Sequence, residues 1–232
     1  MKAGLVDVST GLLASERVRI STPKPAVPEA MSLAVAGLVE RFDYTGPVGI
    51  GFPAVVEDGS VSTAANIDEA WVGENACKIF ARATALEVTI LNDADAAAVA
   101  EARFGVASGV SGLVLVVTFG TGIGSGMLVD GQLVPNVELG MIELEGHRPA
   151  EVFFSAKARQ AEGLTWEEWG GRANRFLVHV NRLFAPTLIV VGGGVAKRWE
   201  HFEHCLDPSL PVELAAIGKD AGIVGAAISA MR

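Results

Sequence analysis

Residues 112–126, GLVLVVTFGTGIGSG, run an unbroken apolar, β-rich stretch straight into four closely spaced glycines and two threonines. Such a run reads as a strand that ends in a loop built to hold phosphate. Glycine carries no Cβ, so the backbone at Gly120, Gly122 and Gly124 is expected to turn with positive φ and bring several N–H groups near anionic oxygens. Thr118 and Thr121 add hydroxyls. A plainer reading of the same residues is a glycine-rich β-hairpin, because the next strand, 125–129, closes on the Asp130-Gly131 turn signal.

The rest of the chain alternates short β-rich runs with helical patterns, which argues for an α/β protein. Two strands, 3–8 and 12–20, are expected to join through the Ser9-Thr10-Gly11 turn. Residues 28–42 read as a helix, with Met31, Val35, Leu38, Val39 and Phe42 at helical spacing. Short buried strands at 48–52 and 88–91 flank a helix at 74–84, and alanine-rich 93–104 is helical. The Gly/Ser-rich stretch 105–112 is the expected crossing between two lobes. After the glycine loop come a helix from about Glu151, a long helix over 165–184, a strand over 187–191, and helices near Val195 and Gly222. In the long helix, Trp166, Trp169, Phe176, Leu177, Val180 and Phe184 share one face and are expected to serve as core or as a subunit contact.

A chain of 232 residues is long enough to bury a sizeable core. Its apolar runs are too short to cross a bilayer, and its first residues lack the order of a signal peptide, so a cytoplasmic protein without a membrane partner is expected. Cys77 and Cys205 have no CxxC or CxC spacing, which indicates neither a disulfide framework nor structural zinc. His201, His204 and Cys205 lack a further ligand, and no metal site is assigned to them. The formal charge of −9 opposes a general nucleic-acid surface. Local basic clusters remain available for a polyanion, and Arg172, Arg175, Arg182, Lys197 and Arg198 are the candidates.

Two further places repeat the order of strand, special residues, helix. Asn92-Asp93 stands where strand 88–91 gives way to a helix, the position at which open α/β sheets place ligands. The helix dipole there is expected to favour an ionised Asp93, able to orient a hydroxyl and take its proton. Asp95 is expected to be exposed and to serve in capping or solvation. Gly192-Gly193-Gly194 follows strand 188–191, but Ala196 and Lys197 stand where a third fingerprint glycine would fall, so a dinucleotide fold is disfavoured. The three glycines let backbone lie flat along a nucleotide or phosphate chain.

Six ordered motifs carry a resemblance: LNDADAAAVAEARFG (91–105), TFGTGIGSG (118–126), LVPNVELG (133–140), TWEEW (165–169), IVVGGGV (189–195) and DAGIVGAA (220–227). In these the chain resembles the ROK family of sugar kinases and, within it, the actinobacterial polyphosphate glucokinases. The resemblance implies an α/β, actin-like ATPase (ribonuclease H-like) fold of two lobes. The N-terminal lobe would span 1–108 and be completed by the C-terminal helix 222–232, and the larger lobe would span 109–221. It implies phosphoryl transfer from polyphosphate or ATP to the 6-hydroxyl of glucose, with Mg²⁺ on the donor phosphates, no structural zinc, and a homodimer. Asp93 would be the general base. Asn66, Asn92, Glu138 and Glu151 would join it on the sugar, while Lys2, Thr118, Gly120, Thr121, Gly122, Gly124, Gly192, Gly193 and Gly194 would hold phosphate or nucleotide. A polyol suits such carboxylates and amides, since it offers paired donors and acceptors.

The chain departs from the family pattern in three places. Only Met1-Lys2 stands where family members have a strand and a D-I-G-G-T/S-x-x-K loop, so the first strand of the N-terminal lobe is expected to be missing, and the preceding in-frame codons test whether the gene starts upstream. Met141 replaces the histidine of E-x-G-H, and Ala54 replaces a glycine. The alternative implied by these departures is a degenerate, non-catalytic sugar-binding member. The regulators of the family carry a basic helix-turn-helix segment that this sequence does not contain.

Overall fold

The computed structural model describes residues 1–64 and 67–231. Its chain divides into two compact units, one of Met1–Ala100 with Asp220–Arg232, the other of Glu101–Lys219. The division falls inside the helix Asp93–Phe104.

In the first unit the N-terminal hairpin is fragmented. Strands β1 (Lys2–Ala3) and β4 (Val18–Arg19) pair antiparallel, as do β2 (Val6–Asp7) and β3 (Leu12–Leu13) around the expected turn. Helix α1 (Pro28–Arg41) starts on proline, whose fixed φ suits a first helical turn. Strand β5 (Val48–Phe52) is followed by the small hairpin β6 (Val56–Glu57) and β7 (Ser60–Val61). Helix α2 (Ala76–Thr84) is capped by Asn75, whose side chain accepts the Lys78 N–H. Strand β8 (Val88–Asn92) pairs parallel with β5, and helix α3 (Asp93–Phe104) begins at once. The core of this unit gathers Phe52, Trp71 and Phe80, with the Trp71 indole N–H donating to the Ala26 carbonyl.

The second unit is built on one five-stranded sheet. Its strands are β9 (Leu113–Phe119), β10 (Ile123–Val129), β11 (Gln132–Val134), β12 (Leu188–Gly193) and β13 (Val212–Leu214), in the spatial order β11-β10-β9-β12-β13. The first three form an antiparallel meander, and β12 joins β9 in parallel. Two short helices, α4 (Glu151–Phe154) and α5 (Ala156–Glu162), stand where a single helix is expected. Helix α6 (Trp166–Phe184) opens with a capping box between Thr165 and Glu168. It buries Trp169, Ala173, Phe176, Leu177 and Val180 against the sheet. Phe184, expected on the same face, is 36% exposed at the last turn. A 3₁₀ segment, Gly194–His201, takes the place of the helix expected near Val195. Helix α7 (Ala221–Ser229) returns the chain to the first unit. The Asp220 carboxylate at its start makes no cap bond and accepts from the Arg17 guanidinium at 2.7 Å instead.

Candidate active site

In the first unit, β8 ends in Asn92 and hands Asp93 to α3. Asn92 is the cap: its Oδ1 accepts the N–H groups of Ala94 at 2.8 Å and Asp95 at 3.2 Å, and its Nδ2 donates to the Ala54 carbonyl at 3.2 Å. The amide expected on the sugar is thus engaged in holding the helix start and the 52–54 loop. We expect Asn92→Ala to lower stability by about 1 kcal/mol through the lost cap, read as a shift in the urea midpoint.

With its neighbour serving as cap, Asp93 keeps contact with solvent. Gly51 and Gly222 flank it: a Cβ at Gly51 would lie 3.5 Å from the Asp93 Cα and one at Gly222 4.0 Å from its carbonyl oxygen, ordinary contact distances. Asp93 is exposed as a residue, yet chain packed against part of its carboxyl strips some of its water and raises it above its ordinary value, and the N–H groups of Ala94 and of Asp93 itself oppose this without cancelling it. The helix terminus therefore does not win, contrary to the expectation of a depressed, dipole-stabilised carboxylate. A raised value suits a base, since proton acceptance is most efficient when the acceptor titrates nearer the working pH. Asp95 is also corrected: it is 1% exposed rather than solvated.

In the second unit, parallel pairing of β9 and β12 sets Thr118 opposite Gly192 and Phe119 opposite Gly193, so the two glycine motifs lie side by side at one end of the sheet. Both readings of residues 118–126 therefore meet in one object, a hairpin whose tip is the candidate phosphate loop. The expected positive φ is absent from Gly120, Gly122 and Gly124 and present at Gly193, where it is 83°. A side chain at Gly193 would also run into the Phe119 backbone. Small size is what Gly122 supplies, because a Cβ there would overlap the Glu151 carboxylate. The tip is tied by the Gly120 N–H donating to the Gly122 carbonyl at 2.9 Å and by the Lys157 N–H donating to the Gly120 carbonyl at 3.1 Å. Thr118 reaches the Gly124 carbonyl at 3.4 Å through its hydroxyl.

Glu151 and Glu138 meet the same hairpin end. Glu151 Oε2 accepts the Ile123 N–H at 3.0 Å. Glu138 belongs to a loop clamped by Ser125, whose hydroxyl donates to the Val137 carbonyl and accepts the Leu139 N–H at 2.8 Å. Gly140 completes the clamp, since a Cβ there would strike the Ile123 carbonyl. Ser125 is a positioning residue that sequence reasoning missed; its place between two motif glycines was the available signal. Met141 is exposed beside this loop.

Other candidates fall elsewhere. Asn66 lies outside the described residues. Lys2 is an exposed residue of β1 in the first unit. Arg172 pairs with Glu162 and covers the Phe153 ring at 3.6 Å, while Arg175 pairs with Glu145 at 3.0 Å, so these two are spent on ion pairs. Lys197 and Arg198 instead line a cavity with Gly120, Thr121 and Gly194. Among the described residues no group of three His, Cys, Asp or Glu side chains is placed to hold a metal ion. No described helix is long and apolar enough to cross a membrane.

A family model described as the ROK family matches residues 1–152. The chain belongs to the ROK family. It is 40% identical to the polyphosphate glucokinase of Mycobacterium tuberculosis (strain CDC 1551 / Oshkosh) over 232 residues, covering 100% of this chain and 87% of that protein. Among solved structures it is similar to the inorganic polyphosphate/ATP-glucomannokinase from Arthrobacter sp. strain KM, with a TM-score of 0.95 and 43% identity over 99% of this chain and 93% of the other. It is also similar to a ROK family glucokinase from Streptomyces griseus in complex with glucose and AMPPNP, with a TM-score of 0.80 and 28% identity over 98% and 95% of the two chains. The mixed α/β fold of this ROK protein is accordingly that of the actin-like ATPase sugar kinases.

Proposed function

We propose that this ROK protein is a glucokinase that transfers a phosphoryl group from polyphosphate or ATP to the 6-hydroxyl of glucose. The observation carrying this reading is the convergence, at one end of the second unit's sheet, of two glycine motifs with two carboxylates. The glycine segments 118–124 and 192–194 suit a donor's phosphates, and Glu138 and Glu151 suit sugar hydroxyls. Asp93 is assigned to the acceptor: its carboxylate orients the 6-hydroxyl and takes the proton as that oxygen bonds to phosphorus and the donor's bridging oxygen leaves with the P–O electron pair. Positioning supplies most of the acceleration in such a transfer. Mg²⁺, when bound, neutralises donor charge. A homodimer and a cytoplasmic setting belong to the same reading through the family likeness.

A coupled assay for glucose 6-phosphate, run with each donor in turn, tests the proposal. Product formation with either donor is expected; no product with both, from protein that is folded by circular dichroism, would leave the non-catalytic sugar-binding reading in its place.

A further inference from the structure

Helix α4 is a single turn, and the Ala150 before it has no side chain with which to cap it. One turn fixes more dihedrals than its hydrogen bonds repay, so α4 stands where it does because of what packs on it. The first residue of that turn is Glu151. Whatever holds α4 therefore places the carboxylate that meets the hairpin tip.

The loop before α4 supplies one hold. Glu145 and Gly146 both take positive φ, 53° and 79°, while the N–H groups of Leu144 and His147 donate to each other's carbonyl at 3.1 and 3.0 Å. This is the type I′ geometry of a tight hairpin turn, and it delivers His147 at a fixed point. The Ala150 N–H donates to the Ile142 carbonyl at 2.8 Å and shuts the loop behind it. Glu145 also accepts from the Arg175 guanidinium of α6 at 3.0 Å, which ropes the turn to the long helix.

The His147 imidazole lies against the Phe153 ring of α4, with ring centres 3.9 Å apart and planes 8° from parallel. The Arg172 guanidinium of α6 lies 3.6 Å from the same ring centre. Two groups so near one phenyl ring cannot share a face, so Phe153 is held between them. Arg172 is itself fixed, because its Nη1 donates to the Phe153 carbonyl at 3.0 Å and to Glu162 Oε1 at 2.8 Å. Phe154, the next residue, is fully buried and meets Phe153 edge-on at 5.0 Å. A ring gripped on both faces and at its edge has one place to sit. Since Glu151 and Phe153 belong to one helical turn, a shift of the ring carries the carboxylate with it.

We propose that His147, acting through the Phe153 ring against Arg172, is a positioning residue for Glu151, holding its carboxylate where Oε2 takes the Ile123 N–H and the group can bind a sugar hydroxyl. The sugar consequence rests on the proposed function; the placement of Glu151 does not.

Glucose titration, steady-state kinetics and hydrogen exchange at the Ile123 amide, all on the full chain, test the proposal. His147→Ala is expected to weaken glucose about fivefold or more, in KM rather than kcat, as for a contact made equally in the ground and transition states. Exchange of the Ile123 N–H should rise about tenfold or more as its acceptor loosens. His147→Phe keeps a flat ring and should restore both readouts to within about twofold. In a Glu151→Gln background, His147→Ala should add less than about twofold, because residues that act as a unit are not additive. Additive losses would overturn the inference, as would a His147→Phe protein as weak as His147→Ala. Phe153→Leu, apolar but without a ring to stack, replaces His147→Ala should that variant fold poorly, with the same losses expected. If Ile123 exchange responds while Glu151→Gln leaves glucose binding untouched, the placement stands and the sugar role proposed for Glu151 fails. If Glu151→Gln weakens glucose while His147→Ala changes neither readout, the sugar role stands and this inference fails.

Discussion

Asp93→Asn is expected to lower kcat for glucose phosphorylation by about a hundredfold or more, the contribution typical of a positioned base, while leaving the glucose dissociation constant within about threefold. Asparagine keeps the shape and the hydrogen-bonding capacity but cannot take a proton. The pH profile should carry the same signature. The carboxyl of Asp93 is held above its ordinary value by partial loss of its water, so activity should fall, as pH is lowered, through that raised value rather than through the usual carboxylate range. Stability should move in the opposite sense. The folded state holds this proton to higher pH than the unfolded state, so the carboxyl contributes stability at low pH that is lost as pH rises from the unfolded value through the folded one. At neutral pH the substitution should therefore leave the melting temperature equal or higher. A variant with unchanged kcat removes Asp93 from the chemistry; one that is inactive and markedly less stable points to a structural role instead.

The sequence carried the sheet that holds the glycine motifs because its central strands are unmistakable. Residues 113–117 and 188–191 are continuous apolar runs, and all but the half-buried Leu113 are buried in β9 and β12, as parallel neighbours covered on two faces require. Glycine composition likewise located the loops. It did not reveal how each glycine acts, since φ depends on how a hairpin closes and contact depends on what packs behind it: Gly122 yields to Glu151, and of the motif glycines Gly193 is the one that turns left-handed. Asp95 was misplaced for a related reason. Ala94 and Ala96 to Ala100 are all buried, so α3 is apolar around most of its girth and a polar residue within it is buried with the rest. The fate of the arginines was not legible at all. Arg172 finds Glu162 and Arg175 finds Glu145 across 10 and 30 residues, distances that no helical period reports. Those pairings separate spent cations from Lys197 and Arg198, which line the cavity beside Gly120 and Gly194.

Gly225→Ala is expected to destabilise the protein by about 2 to 3 kcal/mol, a large share of what a domain has. Sequence reading of DAGIVGAA supplied only a helix start at residues 220–222, whereas the structure puts the constraint one turn further on. A Cβ at Gly225 would fall on the Ala96 carbonyl of α3, and one at Gly49 would fall on the Ala226 carbonyl of α7. Strand β5, α7 and α3 thus approach through missing side chains, and the obstruction in each case is backbone, which cannot rotate aside. Alanine is the better helix former by up to about 1 kcal/mol, so the steric cost must exceed that gain for the sign to be destabilising. Gly37 separates the two effects: it sits inside α1, where an added methyl would find nothing within 4 Å, and Gly37→Ala should stabilise by about 0.5 to 1 kcal/mol. Because Ala96 lies in the first turn of the helix that presents Asp93, Gly225→Ala should also lower kcat in the fraction that remains folded. Urea midpoints for the two variants, with glucose 6-phosphate rates at low denaturant, provide the comparison. Equal gains in both would mean that α3 and α7 do not touch at Gly225, and the support beneath Asp93 would have to be drawn differently.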